Sequence, residues 1–206
     1  MNKLFWSLSL LVLGICSCEI TFGEAEPTVE KITLGELFED VKDPEDSKEL
    51  TYYKNDSLNF KFGYPSNWKK PNDKRGKLVF VQKSDSYTET KPRSNFAIMV
   101  QENYNQELIF VKDSLIETWK QNAVFTKVEI VNELDTTFYK EEAFEIVVQG
   151  SFKQYNTWFD ITWKTIIFMR NKTLFKLTYT CPRNEFSEQF NTRYSIFNSF
   201  QFLEEN

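Results

Sequence analysis

The chain has 206 residues, 41% of them apolar and 17% aromatic with 20 Phe, enough for one ring-rich core of ordinary domain size. A net charge of −5 argues against a chain held on nucleic acid by bulk charge. The absence of histidine excludes Ser-His-Asp and Cys-His nucleophile systems, HExxH zinc chemistry and histidine proton shuttles.

In chain order, Met1-Asn2-Lys3 carries one positive charge and Leu4 to Ile15 runs almost wholly apolar. That run is too short for a spanning helix, which needs about 20 residues, and reads instead as a secretory leader. Its end, Leu13-Gly14-Ile15-Cys16-Ser17-Cys18, resembles the lipobox of bacterial lipoproteins. The resemblance implies cleavage before a cysteine whose sulfur receives diacylglycerol and whose new amino group is acylated, so palmitate should label it. Cys18 follows small Ser17 and has aliphatic Ile15 at the outer position, whereas Cys16 would follow bulky Ile15. Cys18 is therefore the expected lipidation site, with a conventional leader carrying incidental cysteines as the alternative. Of three cysteines two lie in the leader, leaving Cys181 as a part-buried free thiol near a strand end rather than half of a disulfide. Two or three acyl chains would hold a water-soluble domain at a membrane.

Residues 19–50 hold eleven acidic and three basic side chains, the composition of a solvated spacer. Within it, Val29 to Phe38 could form a turn or two of amphipathic helix, weakened by Gly35. The expected organisation is a signal peptide over 1–17, an acidic tether over 18–50 and one domain over 51–206. The domain is dipolar: residues 51–100 carry ten basic and four acidic groups, and 101–150 carry four basic and ten acidic.

Leu58-Phe60-Phe62-Tyr64 alternates with polar residues and predicts a half-buried strand. Leu78 to Lys83 and Phe96-Ile98-Val100 continue the sheet. Leu108, Val111, Leu115 and Trp119 fall at helical spacing over 106–122, with Asn105 as N-cap. Strands resume at Val124 to Ile130, Phe144-Ile146-Val148, Phe159 to about Met169, and Phe175 to Cys181, the last two joined by a hairpin turn at Arg170-Asn171-Lys172-Thr173. After Pro182, Asn184 would cap a terminal helix with Phe186, Phe190, Tyr194 and Phe197 on one face, and Phe200 and Phe202 close as a short strand or on the sheet edge. Short gaps between strands favour antiparallel pairing, and helices separated by runs of strands indicate an α+β fold.

The Tyr64-Pro65-Ser66-Asn67-Trp68 element after an F-x-F strand, and the closing Phe190, Tyr194, Phe197-Asn198-Ser199-Phe200, resemble the opening and closing motifs of PsbP-like domains over roughly 52–202. That fold is shared with a small Ran-binding nuclear import factor and several bacterial lipoproteins. The resemblance implies an α/β/α sandwich with a central, mainly antiparallel sheet of six or seven strands and two principal helices. It also implies a domain that docks onto other proteins, with no catalytic constellation to carry over. The lipobox and acidic tether depart from the plant photosystem members, so a photosynthetic role does not transfer.

Few residues compete for chemistry. The cations Lys69, Lys70, Lys74, Arg75 and Lys77, opposed only by Asp73, could meet an anionic partner, or simply form a solvated loop that guards a sheet edge. Tyr64 and Trp68 could line a ligand cleft, although a Trp at this position more often plugs a sheet. Asp160, Thr162 and Lys164 share one strand face without anything to orient a substrate. Glu141-Glu142 and Glu133 with Asp135 lack calcium-loop spacing and nitrogen or sulfur ligands. Ser114 and Glu117 read as local helix chemistry, and the domain has no GxSxG, Gly-rich phosphate loop or CxxC. The expectation is a lipid-anchored, non-enzymatic protein of a bacterial envelope, periplasmic or surface-facing, without metal, cofactor or nucleic acid. It would dock a protein partner; the alternative is a small-ligand or lipid-headgroup binding module at the membrane surface.

Overall fold

The computed structural model describes residues 49–74, 78–83, 92–154 and 157–203. The expected leader, Cys18 and nearly all of the expected acidic tether lie outside them. Among the described residues ten strands form two sheets, and every strand pair is antiparallel. β1 (Leu50–Asn55), β2 (Phe60–Pro65) and β10 (Gln201–Phe202) make the smaller one, ordered β1-β2-β10. The larger one runs β3-β4-β5-β9-β8-β7-β6, from β3 (Trp68–Lys74), β4 (Leu78–Lys83), β5 (Asn95–Gln101), β6 (Phe125–Phe138), β7 (Glu141–Gln154), β8 (Thr157–Arg170) and β9 (Thr173–Pro182). Helix α1 spans Leu108–Gln121 and helix α2 spans Phe190–Ser199.

Side chains alternate across a strand, so β8 and β9 divide the core into two clusters. Phe159, Ile161, Trp163 and Ile167 face α1, packing with its Leu108, Ile116 and Trp119. Ile166, Phe168, Phe175, Leu177 and Tyr179 face the opposite way, toward Ile196 and Phe197 of α2 and Phe60 and Phe62 of β2. The helices thus lie on opposite faces of the seven-stranded sheet, giving the expected α+β sandwich. One of its outer layers is shared between α2 and the small sheet.

Two turns set the long meander. Asn171 and Lys172, at φ 50° and 58°, close the β8–β9 hairpin where the sequence predicts it. Tyr139 and Lys140, at φ 58° and 67°, close β6–β7 in the same left-handed pair, the geometry that matches strand twist in two-residue hairpins. Register shifts at Thr126/Glu129 and Ile130/Asn132 mark bulges in β6, which bend that edge strand.

Several expectations are corrected. The Phe60-Phe62-Tyr64 strand belongs to the small sheet, not the main one. The basic stretch after Trp68 is not a loop through Lys74. It is the edge strand β3, paired to β4 across a register shift between Lys69 and Asn72 next to Pro71, a residue that sheets tolerate at edges. α1 begins after Glu107 without a side-chain cap, not at Asn105, because Tyr104 is already fixed by donating its N–H to the Lys172 carbonyl at 2.8 Å. Asn184 sits in a 3-10 turn (Arg183–Glu185), and α2 starts later, at Phe190. Its buried face is Arg193, Ile196 and Phe197, while Tyr194 stands 40% exposed.

The Ser199-Phe200 motif has a physical role. Ser199 Oγ accepts the Gly63 N–H at 2.7 Å and donates to the Ile196 carbonyl at 2.7 Å, latching the end of α2 to β2. Gly63 must stay small there, since a Cβ would stand 3.2 Å from that oxygen and 2.9 Å from Leu50 Cδ1. Ser199→Ala leaves a buried amide without this acceptor and is expected to cost about 1–3 kcal/mol in urea unfolding. An unchanged midpoint would mean the latch contributes nothing.

Candidate functional site

The structure places the sequence-predicted site residues apart. Tyr64 and Trp68 do not open onto a cleft: they are 4% and 6% exposed in the core, with the Trp68 ring 6.1 Å from that of Tyr179. Aromatic bulk beside Pro65 is used to plug the space between the two sheets. Lys69 is exposed on β3, Lys70 and Lys74 lie on the same edge strand, and Arg75 and Lys77 fall outside the described residues, as does Cys18. Asp160 is exposed and accepts a hydrogen bond from Ser151 Oγ, so it does not meet Lys164. Glu133 pairs with Lys112 of α1, and Glu141 lies 4.0 Å from Arg170. Among the described residues no group of acidic or cysteine side chains is placed to hold a metal ion.

What the fold does bring together lies beneath α2. A cavity of about 260 Å³ is bounded by the β6–β7 turn, β8 and α2. Phe138, Ile166, Phe190, Phe197 and Phe200 supply its apolar lining. Tyr139 and Tyr194, 41% and 40% exposed, stand among its lining residues, and the Tyr194 ring stacks on Phe190 at 5.9 Å.

Two cations line this aromatic space. Lys164 Nζ lies 2.7 Å from Glu145 Oε1, and both side chains are nearly buried, at 13% and 10% exposed. They are diagonal neighbours on β7 and β8, since Lys164 pairs across from Val147 and Glu145 from Ile166. Burial lowers the Lys164 pKa, Glu145 opposes that shift by charge and hydrogen bond, and Arg193 adds a smaller downward push. Arg193, 7% exposed, lays its guanidinium 3.8 Å over the Phe186 ring and donates from Nη1 to the Phe186 carbonyl at 2.6 Å. Burial lowers its pKa too, partly offset by Cys181, Tyr179 and Glu145.

Two of their neighbours, Cys181 and Tyr179, are neutral at ordinary pH. Burial pushes the Cys181 thiol up to about 12, so this buried residue is an inert thiol rather than a thiolate. Tyr179, raised chiefly by burial, donates its hydroxyl to Gln189, whose amide donates in turn to Glu185.

Sequence reasoning singled out Lys164 but missed Glu145 and Arg193. The signals were present: Glu145 interrupts an otherwise apolar Ala143-Phe144-Glu145-Ile146 run, and Arg193 sits at i+3 from Phe190 and i−4 from Phe197 on the inward stripe. Neither can be read as a site until both strand faces are known to be covered.

A family model described as PsbP-like protein matches residues 12–202. Cyanobacterial PsbP (CyanoP) from Synechocystis sp. PCC 6803 is similar in structure, with TM-score 0.54 and 11% identity over 80% of this chain and 98% of that one. A point mutant of the protein Mog1 gives TM-score 0.53 and 10% identity over 76% and 97%. LpqN of Mycobacterium tuberculosis gives 0.51 and 10% over 84% and 99%. At these identities the likeness shows a shared fold. No curated protein matches the sequence.

Proposed function

The chain belongs to the PsbP-like protein family, and from that premise we propose that it is a lipid-anchored accessory protein of a bacterial envelope, acting by docking a protein partner rather than by transforming a substrate. The observation that carries this is the Ser17-Cys18 junction at the end of a short apolar leader, ahead of an acidic spacer and a domain of this family. LpqN, which shares the fold, is involved in cell envelope biogenesis in its own organism, and that supports the same address here. The anchor and tether would hold the domain off the bilayer, and the basic run Lys69, Lys70, Lys74, Arg75 and Lys77, whose first three members lie on the edge strand β3, is the surface we assign to an acidic partner. Edge lysines also block unwanted strand pairing, so the lysines of β3 can serve both roles.

One experiment in cells tests both parts. Wild type is expected to incorporate labelled palmitate and to crosslink to an envelope partner. Cys18→Ala should lose the label, and the quintuple Lys69, Lys70, Lys74, Arg75 and Lys77 to Gln variant should keep the label and lose the crosslink. Equal labelling of wild type and Cys18→Ala would overturn the anchor, and an unchanged crosslink pattern would overturn the basic edge as the docking surface.

A further inference from the structure

We propose that the cavity beneath α2 is a binding site for a small aryl carboxylate, with Arg193 as the carboxylate receptor and the surrounding rings as the aryl pocket. This goes beyond the docking reading, which makes no use of the cavity and stands or falls independently of it.

Size comes first. An apolar cavity of roughly 150 Å³ takes a benzene molecule. The 260 Å³ here therefore has room for one six-membered ring with a short carboxylated arm. Its walls suit such a ring, since Phe138, Phe190, Phe197 and Phe200 line it and ring pairs gain from offset or edge-on contact.

Charge decides the other end. Lys164 and Arg193 line the space, and one carboxylate, Glu145, sits against Lys164 at 2.7 Å. That ion pair is complete. Arg193 is different: among the described residues no carboxylate lies within ion-pair distance of it, and its one hydrogen bond goes to the Phe186 carbonyl. A guanidinium has five N–H donors in a fixed fork, and a cation taken out of water without an anion is costly. A ligand carboxylate supplies the missing charge and can accept two of the remaining donors side by side. Lys164, Arg193 and Glu145 together leave one positive unit, which a monoanion balances and a phosphate monoester, with about −1.5 to −2, overshoots.

Preorganisation adds to this. Phe186 holds one face of the guanidinium at 3.8 Å, and the Phe190 ring centre lies 5.5 Å away, so little side-chain freedom remains to be lost on binding. The neutral Cys181 thiol and Tyr179 phenol add no anion of their own, and Glu145, which acts on Arg193 by charge, is already paired with Lys164.

The test is ligand-observed fluorine NMR on the full chain in neutral detergent, with empty micelles subtracted. The probe is 3-(4-fluorophenyl)propionate, and its neutral amide is the comparison. Saturable broadening by wild type is expected for the acid, with binding at least about tenfold weaker for the amide, and for the acid with Arg193→Gln. Because Arg193 is buried, its variant could lose the fold. Asn198→Trp, at an exposed residue that lines the cavity, places bulk there without touching the core and should abolish binding of the acid. No saturable effect with wild type, equal binding of acid and amide, or undiminished binding by folded Asn198→Trp would each overturn the proposal.

Discussion

Phe200→Ala is expected to be among the most destabilising single substitutions in the domain, lowering the unfolding free energy by about 3–5 kcal/mol. Phe200 is 1% exposed and stands where the two sheets and α2 converge. Its ring stacks on Phe60 of β2 at 5.4 Å and meets Phe202 of β10 edge-on at 5.3 Å. Phe138, Phe168 and Phe175, from β6, β8 and β9, lie at 5.9, 6.1 and 6.3 Å. Truncation removes the transfer free energy of a full ring and leaves a void that rings fixed on five strands cannot collapse to fill. Its backbone N–H also closes the end of α2 onto the Phe197 carbonyl at 3.2 Å, which alanine keeps, so the measured loss reports packing. Urea unfolding followed by tryptophan fluorescence reads the change. A loss below about 1 kcal/mol would mean the aromatic cluster is not the joint between the sheets.

Lys176→Met is expected to do the reverse, stabilising the protein by about 3 kcal/mol at pH 7. Lys176 is 6% exposed on β9, directly across from Met99 on β5 and Ile167 on β8. Among the described residues no carboxylate lies within ion-pair distance of it. Burial alone lowers its pKa from 10.5 to about 8. Between those two pH values the unfolded chain holds a proton that the folded chain has released, so stability rises with pH across the window. The penalty is full below about pH 8 and gone above about pH 10.5. Cys181, raised from 9.0 to about 12, works in the opposite direction, its folded-state proton making stability fall as pH climbs from 9. Tyr179 acts in the same sense as Cys181. The difference between wild type and Lys176→Met cancels both. Methionine keeps the length and loses the charge, so the gap between the two unfolding curves should shrink steadily from pH 8 to pH 10. A gap that is small at pH 7, or constant with pH, would mean the amine reaches water.

These two sites also show what a local pattern can carry. Alternation is a property of neighbouring residues, so Phe60 and Phe62, Phe96 to Val100, Phe144 to Val148 and Phe175 to Cys181 announce strands without knowledge of the rest of the chain. The Asn171-Lys172 turn is equally local, because Asn tolerates the left-handed backbone. The Tyr139-Lys140 turn has the same geometry but no local signature, since neither residue prefers that region and only the pairing of β6 with β7 holds them there. β3 is masked by Lys69, Lys70, Asn72 and Asp73, which look like loop composition and are tolerated because the strand is an edge.

The α+β class, the order of most strands, both helices and the resemblance to the PsbP-like family are all legible in the bare chain, because periodicity and short motifs act over a few residues. Three features emerge only once the elements pack: the division into two sheets, the burial of Tyr64 and Trp68 in the core, and the meeting of Glu145, Lys164 and Arg193 beneath α2. They share one cause, the covering of both faces of the main sheet. A polar residue opposite an apolar one reads as solvent-facing until α2 and the small sheet dock and take that face out of water.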